Sequence, residues 1–164
     1  MKEIAIRPVR REDISGVIEL CKLHAAYEQA EYDQTKKEEK LSNFLFSETP
    51  ALYCLIVEID HKIVGYSTYM KQFSTWDANH YIYMDCLFLT EECRGYGIGE
   101  KLIDRIKKEA VLLGCNLIQW QTPAFNKRAM KFYNRIGAKS KSKERYFLET
   151  NQPVSPVTTP VIPV

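Results

Sequence analysis

The sequence predicts a single α/β domain, a mixed central β-sheet with helices on both faces. Three observations carry this. Apolar positions switch repeatedly between strand-like alternation and helix-like spacing over residues 1–149. A β-prone run, Tyr81 to Leu89, leads through an acidic turn into Arg94-Gly95-Tyr96-Gly97-Ile98-Gly99 and then an amphipathic helix. No repeat or linker divides the chain before Thr150.

The elements follow in order. Glu3 to Val9 alternates Ile4 and Ile6 with polar neighbours and is a first strand. Asp13 is a candidate N-cap for a helix whose face carries Ile14, Val17, Ile18, Cys21 and Ala25, lasting to about Tyr27. Glu28 to Gln34 is acidic. It reads either as a solvated loop or as a carboxylate cluster that receives a cation. Thr35 to Glu38 has the form of a capping box, before a second helix whose apolar stripe is Leu41, Phe44 and Leu45. Tyr53–Ile59 and Ile63–Phe73 form a hairpin around Asp60-His61-Lys62, with Gly65 marking a bulge or a close approach. Trp76 and Asp77 stand in a polar loop; the tryptophan either walls a substrate site or folds back on the core.

Behind the glycine run, Ile98, Leu102, Ile106, Ala110 and Leu113 share one helical face, and Gly114 ends the helix. Residues 116–121 are a further strand. Asn126 caps a last helix carrying Met130, Phe132, Tyr133 and Ile136, which Gly137 ends, and 144–149 is a final strand. The tail, 150–164, contains Pro153, Pro156, Pro160 and Pro163 and is expected to be extended and polyproline-like or disordered.

Composition narrows the function classes. A net charge of +2 with 27% charged residues argues against bulk nucleic-acid or membrane binding. Five cysteines without a C-x-x-C pair or zinc spacing predict reduced thiols, a cytoplasmic location and no metal site. The N-terminus lacks a signal-peptide pattern. The glycine run carries the chemistry. Three glycines in five residues let backbone N–H groups approach a ligand, and the helix start behind them favours an anion, so this stretch predicts a phosphate or pyrophosphate site. A Walker A loop fails, because Gly99 is followed by Glu100-Lys101-Leu102; the dinucleotide spacing G-x-G-x-x-G is not met either.

The pattern R/Q-x-x-G-x-G/A is met by Arg94, Gly97 and Gly99. Together with Asn126, Ala129, Phe132, Tyr133 and Gly137, it resembles the GCN5-related N-acetyltransferase (GNAT) superfamily over residues 1–149. The resemblance implies a single-domain GNAT fold and acetyl-CoA as cosubstrate. Leu87, Phe88 and Leu89 would meet the pantetheine arm, and the backbone of Arg94, Gly95, Tyr96, Gly97, Ile98 and Gly99 the pyrophosphate. Asn126, with Lys127 or Arg128, would contact the cofactor, and Tyr133 would sit by the thioester sulfur as general acid. A carboxylate would take the ammonium proton, directly or through water, before the free amine attacks the thioester.

Ile6-Arg7-Pro8, Tyr27-Glu28 and Trp76-Asp77 are similar to the diamine (spermidine/spermine-type) branch. That similarity implies Glu28, Glu31, Asp33, Trp76, Asp77 and Asp85 as substrate-binding residues, Asp85 as base or amine anchor, and a homodimer. The branch has Glu-Asp where this chain has Asp85-Cys86, which points to a shorter diamine, a lysine-like amine such as thialysine, or another small amine. A protein or peptide N-acetyltransferase and a non-catalytic acetyl-CoA-binding regulatory module are the alternatives.

Overall fold

The computed structural model describes residues 4–150. Five strands, β1 (Ile4–Pro8), β2 (Tyr53–Ile59), β3 (Lys62–Ser74), β4 (Asn79–Leu89) and β5 (Ile118–Gln119), form one sheet in sequence order. The first four pair antiparallel and β5 joins β4 in parallel, so the sheet is mixed. Helices α1 (Ile14–Tyr27), α2 (Lys37–Leu45), α3 (Ile98–Leu112) and α4 (Lys127–Arg135) complete the domain.

Strand β2 explains why two layers of helix are needed. Its residues Cys54, Leu55, Ile56 and Val57 are all buried, which a strand achieves only when both faces are covered. Cys54 and Ile56 meet Ile14, Val17, Ile18 and Leu20 of α1 and Leu45 of α2. Leu55 and Val57 meet the opposite core, with Ile98, Leu102, Ile106 and Ala110 of α3 and Phe132 beside it. Helices therefore cover both faces, as the apolar spacing predicts.

The turn Asp60-His61 has both residues at positive φ, 49° and 64°, the geometry of a two-residue hairpin whose twist matches its strands. Gly65 is a close approach: a Cβ there would lie 2.8 Å from the Phe88 carbonyl oxygen and collide with the Leu89 side chain. At the start of α1, Asp13 does not cap the helix with its side chain. Its carboxylate accepts instead from the Arg7 guanidinium at 2.7 and 3.0 Å and from the Arg10 N–H at 2.7 Å. The capping box expected at Thr35 is absent too; α2 starts after Lys36, whose φ is 57°.

The final strand expected over 144–149 does not form; residues 138–150 carry no regular structure. β-propensity needs a partner edge, and β5 offers only two paired residues. Tyr146, Phe147 and Leu148 stay 80–96% exposed. The strand expected over 116–121 shortens to Ile118–Gln119 for the same lack of pairing. The proline-rich tail lies, from Asn151 onward, outside the described residues. Among those described, no helix is long and apolar enough to cross a membrane, and no cluster of three His, Cys, Asp or Glu could hold a metal ion.

Candidate active site

The parallel pairing of β4 with β5 covers only Ile82 opposite Ile118 and Tyr83 opposite Gln119. Beyond it, Met84, Asp85 and Leu87 to Leu89 of β4 and the chain from Trp120 to Thr122 line a common cavity of about 370 Å³. A second irregularity sits on the other side of β4. Thr68 faces Cys86 and Tyr69 faces Met84, so Asp85 has no partner on β3. A bulge of this kind re-aims a side chain, and Asp85 is exposed on the cavity wall.

The glycine run borders the cavity. Gly95 and Gly97 have φ of 90° and 76°, values that favour glycine. The first helical bond of α3 runs from the Lys101 N–H to the Gly97 carbonyl, which leaves the N–H groups of Ile98, Gly99 and Glu100 without a helical acceptor. Gly95, Gly97 and Gly99 all line the cavity. Arg94 is fixed from two sides: its Nε donates to the Leu89 carbonyl at 2.8 Å, and its guanidinium lies 4.5 Å from the Tyr27 ring centroid.

Helix α4 supplies further lining. Its buried N-cap, Asn126, accepts from the Ala129 N–H at 3.1 Å and from the Tyr27 hydroxyl at 3.3 Å, tying α4 to the end of α1. Arg128, Lys131 and Arg135 give the lining a positive side. Tyr133 packs edge-on against Trp120, with centroids 5.1 Å apart. Burial, with smaller contributions from Glu28 and Tyr27, pushes its hydroxyl up to about 12, so it is protonated and a donor at neutral pH.

Two acidic groups line this cavity besides Glu100 of α3: Asp85 and Glu28, the latter the C-cap of α1. Glu28 Oε1 lies 3.3 Å from His24 Nε2, one helical turn earlier. His24 Nδ1 lies 3.0 Å from the Tyr66 hydroxyl, and the imidazole stacks on Phe88 at 5.0 Å. Burial holds the His24 pKa below its ordinary value, against the pull of Glu28.

The cavity thus gathers Glu28, Asp85, Leu87, Phe88, Leu89, Arg94, Gly95, Gly97, Gly99, Asn126, Arg128 and Tyr133 from the sequence expectations. It does not gather the others. Glu31 is exposed; Asp33 accepts from the Thr35 N–H at 2.8 Å in a local turn. Trp76 is 99% exposed at the β3–β4 hairpin, neither walling the cavity nor folding onto the core, and Asp77 accepts from the Ser74 hydroxyl beside it. The hairpin lies at the far end of β4 from Asp85, which separates the two by strand length alone. Tyr96 and Lys127 are exposed, and Ile98 is buried beneath the loop. Sequence reading missed His24, Lys131 and Arg135. The positions of Lys131 and Arg135 in α4, three and seven residues after Arg128, were the available signal.

The chain is similar to known proteins over most of its length. Residues 17–138 match the family described as Acetyltransferase (GNAT) family. A thialysine N-epsilon-acetyltransferase of Bos taurus is 34% identical over 147 residues, covering 84% of this chain and 85% of the relative. The counterpart in Sus scrofa is 31% identical over 148 residues, 85% and 86% of the two chains. Among solved structures, an integron cassette protein from the mobile metagenome of V. cholerae superposes with a TM-score of 0.70 at 28% identity, covering 90% of this chain and 93% of its own. The chain belongs to the acetyltransferase (GNAT) family.

Proposed function

We propose that the protein transfers the acetyl group of acetyl-CoA to a primary amine of a small cationic substrate, a diamine or a lysine-like amine, by direct attack on the thioester. One observation carries the reading: Asp85, Tyr133 and the glycine loop line the same cavity. The lining suits the cosubstrate. Open N–H groups at the start of α3 and the cations Arg128, Lys131 and Arg135 match a pyrophosphate and a further phosphate, and the parted edge of β4 at Leu87 to Leu89 matches an amide-bearing arm.

Acetyl-CoA supplies an activated acyl carbon; the protein supplies proton handling and position. A primary amine with pKa near ~10.4 arrives protonated at neutral pH. Asp85 takes its proton, directly or through a water, and Glu28 attracts the cation that remains on a diamine. A backbone N–H on the free edge of β4 faces the developing oxyanion. Tyr133 donates to the leaving thiolate. Cys86 takes no covalent part, because burial, with Asp85 adding to it, pushes its thiol up to about 12.

The similarity of the chain to the thialysine acetyltransferases supports the amine class. The exposed Tyr146, Phe147 and Leu148 support a homodimer that covers them, which sedimentation would check. Release of CoA thiol, measured with putrescine, spermidine, thialysine and a panel of lysine peptides, tests the function. The small amines are expected to turn over and the peptides not. Preference for a peptide, or binding of acetyl-CoA with no turnover of any amine, would overturn the reading.

A further inference from the structure

One titratable side chain in the cavity has no place in the mechanism above. His24 stands on α1, its side chain 13% exposed, between the Glu28 carboxylate and the Tyr66 hydroxyl. The protonation pattern of this chain follows from its far end. Tyr66 is 1% exposed, and burial raises its hydroxyl far above its ordinary value, so it keeps its proton. The nearby thiols of Cys21 and Cys86 are weak acceptors, and the imidazole nitrogen is the better one. Tyr66 therefore donates to His24 Nδ1, the ring proton sits on Nε2, and Nε2–H donates to Glu28 Oε1.

Two aromatic rings brace the imidazole. It is stacked on Phe88 of β4 at 5.0 Å, with Tyr66 meeting it edge-on at 6.0 Å from β3. Glu28 sits at the C-cap of α1, where the helix ends and a carboxylate gains nothing from the helix dipole. Among the described residues, His24 is the hydrogen-bond partner the structure gives that carboxylate. The direction of Glu28 into the cavity thus depends on a ring anchored in the core.

We propose that His24 is the positioning residue of the amine pocket: it passes the Tyr66 hydrogen bond on to Glu28 and holds that carboxylate where it binds the second cation of the substrate. The inference rests on the functional reading above and deepens it, because it assigns to one ring the preference for an amine with two charges. His24 acts through Glu28 and touches neither the thioester nor the attacking nitrogen.

The test compares 1,4-diaminobutane with butylamine in the thiol-release assay, for the unaltered protein and for His24→Leu, His24→Gln and Glu28→Gln. Losing one hydrogen bond to a charged group is expected to raise KM for the diamine about tenfold in His24→Leu. The kcat, the KM for acetyl-CoA and the kinetics with butylamine stay within about twofold, because the lost contact binds the diamine equally in ground and transition states and butylamine does not make it. His24→Gln, which keeps a donor toward Glu28 and an acceptor for Tyr66, restores most of the diamine KM. In a Glu28→Gln background, His24→Leu adds no further loss. Equal losses on both amines, a parallel rise in the acetyl-CoA KM, or no rescue by glutamine would make His24 a packing residue and overturn the proposal. No turnover of any amine by the unaltered protein would instead overturn the functional reading itself.

Discussion

Replacing Tyr133 by phenylalanine removes one hydroxyl from the cavity and leaves the ring's contacts with Trp120 and Phe132 in place. The size of the effect follows from two acidities. The hydroxyl is pushed up to about 12 by burial. A thiol loses its proton near ~8.5, so complete transfer from tyrosine to a CoA thiolate runs uphill by about 5 kcal/mol, at ~1.36 kcal/mol per pKa unit. The hydroxyl therefore acts mainly by donating a hydrogen bond to the charge that develops on sulfur. A hydrogen bond to a charged group contributes ~1.5–3 kcal/mol. Tyr133→Phe should lower kcat roughly 10- to 150-fold, well short of the ~10⁴-fold that an ideally matched general acid can supply. Acetyl-CoA affinity, measured by titration calorimetry, should hardly move. Steady-state kinetics with the best small amine make the comparison. A kcat within threefold of the unaltered protein, or a loss confined to acetyl-CoA binding, would refute the assignment of Tyr133 as the donor.

Other substitutions probe the frame. Asp13→Asn breaks the charge-assisted pair with Arg7 and should cost about 1.5–3 kcal/mol, a fall in Tm of roughly 5–10 °C by calorimetry. The Arg7 hydrogen bonds, joined by the Arg10 N–H and opposed by burial, hold the Asp13 carboxyl below its ordinary value. This stability is present above the ordinary carboxylate range and is lost as pH falls through the lowered folded value, so the Asn variant should show a flatter acid limb. Gly65→Ala sets a methyl 2.8 Å from the Phe88 carbonyl oxygen, which as backbone cannot swing aside. It should cost about 1–3 kcal/mol and raise the KM for acetyl-CoA by displacing β4 at Leu89; an unchanged Tm would contradict the close approach. Asp85→Asn should reduce kcat/KM for every amine while sparing acetyl-CoA binding, and kinetics like those of the unaltered protein would make Asp85 structural.

What the sequence made legible was local. The succession of β4, glycine run and α3 is written in adjacent residues, and so is the Asn126 cap of α4, because spacing and capping depend on near neighbours. What stayed hidden depends on pairing. The bulge that frees Asp85 arises from the register of β4 against β3, and Asp85 by itself carries no sign of it. The same applies to residues 144–149, whose apolar run promises a strand but finds no partner among the described residues. His24 looks like an ordinary polar position on α1; only its placement beside Tyr66 and Phe88 turns it toward the cavity. Trp76 and Asp77 were near β4 in sequence, but the six residues of extended strand from Asn79 to Met84 carry them away from Asp85.

The most direct measurement follows the acetyl group through one turnover. Protein in excess is mixed with carbon-labelled acetyl-CoA and 1,4-diaminobutane, and both protein and amine are weighed by mass spectrometry over time. Direct attack predicts label on one nitrogen of the amine from the earliest points and none on the protein, Cys86 included. Label that accumulates on a protein side chain before it reaches the amine, or that never reaches the amine, would contradict the account.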